Sequence, residues 1–343
     1  MAGASISNII FYRTCVHSLN HTKEECKDFL SPIRSNATRM LEEDVQKYAT
    51  FVLTVKSVME SVTPAILSMF LGVWSDTYGR KPLIVWPIFA SLNVISYSFS
   101  NVYIKESLSG ALEGGLCKIL DWLHVKEMVQ ECFKERPNHG RAQILLLTAA
   151  RSIGVFVMYG TGGIEYPYTR RTLHWALQDY NTYSAVSTAI MFVGSLLGVV
   201  FIQRVLSISD LVLAAVAFLS AVVEYTIKAI VVNSWQMYLS VSVSLFKGLS
   251  GPLVRSFLAK ALPVEDIAKV FAMMCAIEGL SPLIAPILFN SVYVVTLENF
   301  PGTVYFISGG LSVVCVVLLG FVQYYSWNAP TSLYRPLEED EEI

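Results

Sequence analysis

Long apolar stretches recur along the whole chain and are separated by shorter polar segments. A helix needs about 20 mostly apolar residues to cross a hydrocarbon core of about 30 Å, and eight stretches meet this requirement. They are continuously apolar rather than alternating, which favours helices over barrel strands. Membrane-spanning helices are predicted near Thr50–Gly72, Leu83–Ser100, Arg141–Gly160, Thr182–Ile202, Leu211–Val232, Tyr238–Leu258, Val270–Val292 and Val304–Tyr325.

The composition agrees with this pattern. Of the 343 residues, 54% are hydrophobic and 15% are charged, whereas a soluble domain has about 45–50% and about 25%. The net charge of −2 and the lack of a long basic run argue against a nucleic-acid partner. We therefore predict an all-α polytopic membrane protein whose surroundings are the lipid bilayer.

The sequence carries no pattern typical of an enzyme or a metalloprotein. The five histidines are scattered and match no metal-site spacing with cysteine, and no nucleophile–base constellation appears. Cys275 and Cys315 fall in apolar helices, where we expect them to be packing residues. No cofactor, no metal and no catalytic residues are predicted.

Basic residues set the expected orientation. Arg80 and Lys81 follow the first full span, and the positive-inside rule places them in the cytosol, so that residues 11–49 lie outside. That outer segment contains two glycosylation sequons, at Asn20 and Asn36. It also contains Cys15 and Cys26, which can form a disulfide if the segment is lumenal or extracellular.

The number of crossings then conflicts with the charges. The second helix must end outside near Asn101, yet residues 121–140 form a basic, amphipathic stretch that is expected in the cytosol. Only residues 102–120 lie between, and their charges, with Glu113 near the middle, make a poor crossing. Either this segment crosses reluctantly or an odd number of helices is absent here.

A family resemblance accounts for the conflict. The loop GVWSDTYGRKP, from Gly72 to Pro82, resembles motif A of the major facilitator superfamily, and its Ser-Asp and Arg-Lys-Pro-Leu form is similar to solute carrier family 46, the proton-coupled folate transporter and its relatives. The patches Gly251–Lys260 and Leu288–Tyr293 resemble helices ten and eleven of that family. Residues 15–49 resemble its first external loop, and CFKERPNHGRAQILLL resembles its central loop running into helix seven.

The resemblance implies a major facilitator fold in which helix one and helices four to six are missing. Three absent helices between the third and seventh restore the parity that the charges require. The implied organisation is an external loop with sequons (1–49), a partial N-terminal bundle with helices two and three (50–120), a cytosolic link (121–140), a near-complete six-helix C-terminal bundle (141–327) and an acidic cytosolic tail (328–343).

The function implied by the resemblance is secondary transport of a small organic anion, folate-like or related, coupled to protons, by alternating access in the plasma or endolysosomal membrane. The family's folate-transporting member uses acids in helices four and five and a histidine in helix seven, and residues 141–160 contain no histidine. The alternative is a non-transporting truncated isoform that regulates a full-length relative or pairs with it, as a homo- or hetero-oligomer.

Motif A supplies the candidate gating residues Gly72, Asp76, Gly79, Arg80 and Lys81. A carboxylate and a guanidinium four residues apart can latch one conformational state, whereas the alternative is that the basic residues only set topology.

Other charges within apolar stretches are candidates for substrate or proton binding. Arg255 is suited to gripping a carboxylate with two hydrogen bonds, the alternative being an arginine that snorkels to the interface. Glu278 has no cation nearby in sequence and is the candidate for an isolated acid, with Arg151 as a further candidate. Two pairs at i,i+4 spacing, where a structural role is favoured, are Lys56 with Glu60 and Glu224 with Lys228.

Overall fold

The part of the chain that the computed structural model describes is helical, with turns and short connections and without strands. It comprises residues 10–19, 21–22, 26, 44–58, 126, 129–130, 132–134, 136, 139–198, 209–262 and 264–327. Residues 10–13 and 44–58 are helical, and a π-helical turn covers Thr14–Ser18. The further helices are α1 (Gly140–Gly162), α2 (Glu165–Leu173), α3 (Leu177–Leu197), α4 (Asp210–Ala229), α5 (Ser234–Val243), α6 (Ser250–Ala261), α7 (Val264–Thr296) and α8 (Thr303–Trp327).

Four of these helices are long and apolar enough to cross a membrane, and α5 with α6 would make a fifth span if the bent pair crosses as one. The four are α1, α4, α8 and the part of α7 from Lys269 onward. The prediction of an all-α, multi-pass membrane protein is confirmed. The span predicted at Thr182–Ile202 begins within α3 and continues beyond the described residues. Most of the predicted span Thr50–Gly72 and all of Leu83–Ser100 lie outside the described residues.

The span predicted at Tyr238–Leu258 is not one continuous helix, because this stretch is broken. A turn and a short 3₁₀ segment, Lys247–Leu249, separate α5 from α6, and the two helices are bent by 44°. Pro252 has no backbone N–H to give to the carbonyl four residues earlier. The hydroxyl of Ser244 bonds to the carbonyl of Val241 at 3.2 Å, which further weakens the regular ladder.

The helices pack into one bundle in which α4 lies against α8, α8 against α1, and α1 against α7. One half of the interior is mainly aliphatic and sulfur-containing, with Leu147, Val254 and Cys315 among its buried residues. The other half is rich in tyrosine, including Tyr183 and Tyr305. The hydroxyl groups of the second half can satisfy buried charges, which the first half cannot do.

The described residues of the segment predicted to lie outside pack at the α2 end of the bundle. Cys15 and Cys26 are joined by a disulfide with Cα atoms 5.9 Å apart, and together with Phe11 they pack against Tyr166 of α2. At the opposite end, Arg136 of the predicted cytosolic link pairs with Asp266 at 2.9 Å. The segments assigned to the two sides of the membrane therefore lie at the two ends of the bundle.

The two cysteines of the apolar helices differ. Cys315 is buried and its thiol donates to the carbonyl of Ala150 at 3.3 Å, as expected of a packing residue. Cys275 is exposed, so the prediction that it packs in the core is wrong. It precedes Glu278 by three positions on α7, and therefore shares the face of the helix that carries the carboxylate.

Candidate functional site

Several predicted site residues fall outside the part of the chain that the structure describes. This holds for the motif A residues, for Glu60, and for both glycosylation sites. The roles assigned to Gly72, Asp76, Gly79, Arg80, Lys81, Glu60, Asn20 and Asn36 therefore remain predictions. Lys56 lies in the helical segment 44–58, while its predicted partner is not described, so their pairing also remains a prediction.

Three of the predicted candidates meet in one cluster between α1, α6 and α7. A guanidinium N–H of Arg255 donates to Glu278 Oε2 at 2.8 Å, and Nε of Arg151 lies 3.2 Å from Glu278 Oε1. The hypothesis that Glu278 is an isolated acid is therefore wrong. Its cations come from other helices, at sequence separations that no local pattern reveals.

A glycine makes this close approach feasible. A Cβ atom built on Gly251 would lie only 2.9 Å from the guanidinium carbon of Arg151. The backbone of α6 thus forms a floor on which the planar guanidinium rests, one turn before Arg255. A side chain at position 251 would force Arg151 to move.

Within the described part of the chain, the cluster carries unbalanced charge and has an open side. Two arginines and one glutamate give a formal charge of +1, and the side chain of Arg255 is 42% exposed, against 19% for Arg151 and 12% for Glu278. Among the described residues, Nε of Arg255 has no hydrogen-bond partner, and Nε of Arg151 meets Glu278 Oε1 as an ion pair without forming a hydrogen bond. The arrangement can bind one further oxyanion at the exposed guanidinium of Arg255.

A second set of charges lies toward the α2 end. The ammonium of Lys228 contacts Glu165 Oε1 at 2.6 Å and Glu224 Oε1 at 2.7 Å, and Lys247 contacts Glu224 Oε2 at 2.9 Å. We refer to Glu165, Lys228, Glu224 and Lys247 as the neutral chain, because its two acids and two lysines balance. The predicted i,i+4 pair of Glu224 and Lys228 forms, and both side chains are at least 94% buried.

Tyrosines surround the neutral chain. The hydroxyls of Tyr180 and Tyr183 both donate to Glu165 at 3.3 Å, and Lys247 lies 4.3 Å from the ring centre of Tyr225. Tyr168 donates to the carbonyl of Lys228 at 2.6 Å. Burial raises the pKa of Tyr168 to about 12, so its hydroxyl remains a proton donor throughout the physiological range.

Sequence reasoning missed Glu165 and Lys247. Lys247 interrupts an apolar stretch directly before Gly248, and a charge beside a glycine in a predicted span was the available signal of a break. Glu165 gives no such signal, because it stands in a polar connection. Among the described residues, no group of His, Cys, Asp and Glu has the arrangement of a metal site.

Comparison with known proteins identifies transporters. No family model matches the chain. It is 22% identical, over 422 aligned positions, to the "Probable peptidoglycan muropeptide transporter SLC46" of Drosophila melanogaster, covering 92% of this chain and 81% of that protein. It is 26% identical to the "Lysosomal proton-coupled steroid conjugate and bile acid symporter SLC46A3" of Gallus gallus, covering 77% of this chain and 57% of that protein.

A further relative is the proton-coupled folate transporter of Rattus norvegicus, which is 22% identical over 80% of this chain and 58% of that protein. The chain thus spans somewhat more than half the length of these two vertebrate relatives. A solved structure of a bacterial homologue of the human lysosomal transporter Spinster is 12% identical, with a TM-score of 0.34 and coverage of 94% of this chain and 81% of that chain. At this TM-score the likeness carries no argument, and the relationship rests on the sequence relatives.

Proposed function

Because this chain is a relative of the solute carrier family 46 transporters, as its motifs predicted, we propose that it moves a small organic anion across a membrane. The observation that carries the proposal is the net positive, half-open cluster of Arg151, Arg255 and Glu278. An uncompensated positive charge within a membrane bundle is costly, and is retained where a partner or substrate compensates it. The named substrates of the three relatives are muropeptides, steroid conjugates and bile acids, and folate.

Binding would exchange one carboxylate for another. A substrate carboxylate that enters from the open side of Arg255 competes with Glu278 for the same guanidinium, because both prefer two parallel N–H···O bonds. Arg151 remains on its floor at Gly251 and continues to hold Glu278 Oε1. The site therefore has a resident anion that a substrate can replace without leaving an arginine unpaired.

The same exchange supports proton coupling. Once Arg255 turns to the substrate, Glu278 loses one of its two cations in surroundings that disfavour a lone charge. With Arg151 as its one remaining cation, Glu278 binds a proton more readily than before, so that substrate and proton binding favour each other. This requires no histidine in α1 and no acid from the helices four to six that are predicted to be absent.

Uptake of labelled folate, taurocholate and a muropeptide into cells tests the proposal. Arg255→Ala should abolish uptake of whichever solute is carried, and Arg255→Lys should retain a part, because the charge survives while the two-pronged geometry is lost. Lys260→Ala is the matched control: Lys260 lies on the same helix but pairs with Asp210 at the far end, at 2.8 Å. Equal uptake by wild type and Arg255→Ala at matched surface levels contradicts the role of Arg255.

A second candidate function has its own support. The alignment with the Drosophila relative runs over 422 positions, more than the 343 residues of this chain, so parts of that relative have no counterpart here. This agrees with the predicted absence of helices four to six and with a truncated isoform that pairs with a full-length relative. Absence of uptake at confirmed surface levels, with co-purification of a full-length relative, would favour this function over transport.

A further inference from the structure

The break between α5 and α6 places a lysine where a membrane helix is weakest. Lys247 opens the 3₁₀ segment, in which its own N–H bonds to the carbonyl of Ser244 and the N–H of Leu249 bonds to that of Phe246, both at 2.9 Å. These i→i+3 bonds do not fix the angle between the two helices by themselves. The angle must be set by contacts that the break makes with neighbouring helices.

One such contact is ionic. Lys247 reaches Glu224 of α4 at 2.9 Å and lies over the ring of Tyr225 on the same helix. Glu224 cannot swing away, because its other oxygen is held by Lys228, which in turn is held by Glu165 of α2. The break is thereby tied to two further helices through the neutral chain.

The break also packs against α3 on its other side. A Cβ atom on Gly194 of α3 would lie 2.0 Å from the carbonyl oxygen of Leu245, and one on Gly198 would lie 2.1 Å from the side chain of Leu249. The backbones are therefore in close contact on this side, independently of any charge. Loss of the ionic contact alone leaves this packing in place.

The break also determines where the arginine–glutamate cluster lies. Lys247, Gly251 and Arg255 follow one another at intervals of four, which places them on one face of the helix that starts at the break. The guanidinium of Arg151 packs directly against the backbone at Gly251, where a Cβ atom would not fit, and Arg255 forms an ion pair with Glu278. A rotation or shift of α6 at Lys247 therefore moves both arginines relative to the carboxylate.

We propose that Glu224 and Lys247 are positioning residues for the Arg151–Glu278–Arg255 cluster, which they control through the bend between α5 and α6. The inference rests on the proposed function for its consequence in transport, but the geometric claim is independent of it. The neutral chain binds no substrate anion itself, since each of its lysines is already compensated. Its effect is to fix the separation of the two guanidinium groups.

Cys275 provides a reporter that does not depend on transport. It is exposed, and it lies within electrostatic range of Arg151, Arg255 and Glu278. Its rate of reaction with the anionic reagent sulfonatoethyl methanethiosulfonate should follow the placement of the two guanidinium groups. Labelling of a Cys275→Ser variant gives the background from the other cysteines.

The experiment compares Glu224→Gln, Lys247→Met and Lys247→Arg in the full chain. The first two should change the reaction rate of Cys275 by about threefold or more, as expected for residues in one ion-pair network. Lys247→Arg retains the ion pair and should restore the wild-type rate. Lys260→Met, which removes a different ion pair from the far end of α6, should leave the rate unchanged.

In a transporting protein, Glu224→Gln should raise KM more than it lowers kcat, because it loosens a binding site. An unchanged reaction rate of Cys275 in both Glu224→Gln and Lys247→Met overturns the proposal. This holds even if less folded protein is recovered, because an ion pair that only stabilises the fold would lower the yield and leave the rate unchanged. If the rate changes while even the wild type takes up none of the tested solutes, the positioning role stands and transport of those solutes fails.

Discussion

Two groups of buried charges lie in the same helical bundle, and they differ in how completely they are compensated. The neutral chain has equal numbers of acids and lysines, and its central pair is almost fully buried. The arginine–glutamate cluster has one cation in excess and an arginine that is 42% exposed. Charges that cancel within a membrane bundle hold helices together, whereas an excess charge with an open side is suited to a ligand.

The side chains that surround the two groups explain why only the neutral chain has its hydrogen-bonding atoms paired. The neutral chain lies among tyrosines, whose hydroxyls donate to Glu165 and to the carbonyl of Lys228. Ala150 and Val254, which directly precede the two arginines in the sequence, belong to the aliphatic core, and their side chains offer no hydrogen bonds. Among the described residues, Nε of Arg255 therefore has no hydrogen-bond partner.

The largest expected difference between the two groups is in stability. Lys228→Met removes the centre of the neutral chain and leaves Glu165 and Glu224 each short of a cation, which should cost about 3–5 kcal/mol. Arg255→Met removes a half-exposed partner while Arg151 still holds Glu278, and should cost about 1 kcal/mol or less. Heat-inactivation midpoints of the purified protein in one detergent measure both, and equal losses in the two variants would remove the distinction between the groups.

A smaller effect is expected where the arginine–glutamate cluster meets the backbone. Gly251→Ala places a methyl group 2.9 Å from the guanidinium carbon of Arg151, so that the flexible end of this side chain must move aside. Displacement of the guanidinium should lower uptake roughly tenfold, as expected for a misplaced binding group. Gly310→Ala is the control, because a Cβ there has nothing within 4 Å. Normal uptake by Gly251→Ala would show that Arg151 need not lie on α6.

The two groups of charges also differ in how far their helices and contacts could be predicted from the sequence. The apolar stretches sufficed to locate α1, α4, α7 and α8, because twenty apolar residues have few alternatives to a spanning helix. The pair Glu224–Lys228 was predictable from its i,i+4 spacing alone. Glu278 was misjudged, and Lys247 was missed, because their partners lie on other helices. Which helices become neighbours is decided by tertiary packing, which leaves no local pattern.

The last prediction concerns which side of the membrane each group faces. The Arg80–Lys81 loop predicts that residues 11–49 are external, and the described residues of this segment pack at the end of the bundle that carries Glu165. The neutral chain would then lie toward the outside, and Arg136 with Asp266 would lie toward the cytosol. If so, Asn20 or Asn36 receives a glycan, and glycosidase treatment should increase gel mobility in the wild type but not in a variant with both asparagines changed to glutamine. No shift in the wild type, together with labelling of residues 11–49 from the cytosolic side, would invert the orientation of both charge groups while leaving their contacts as described.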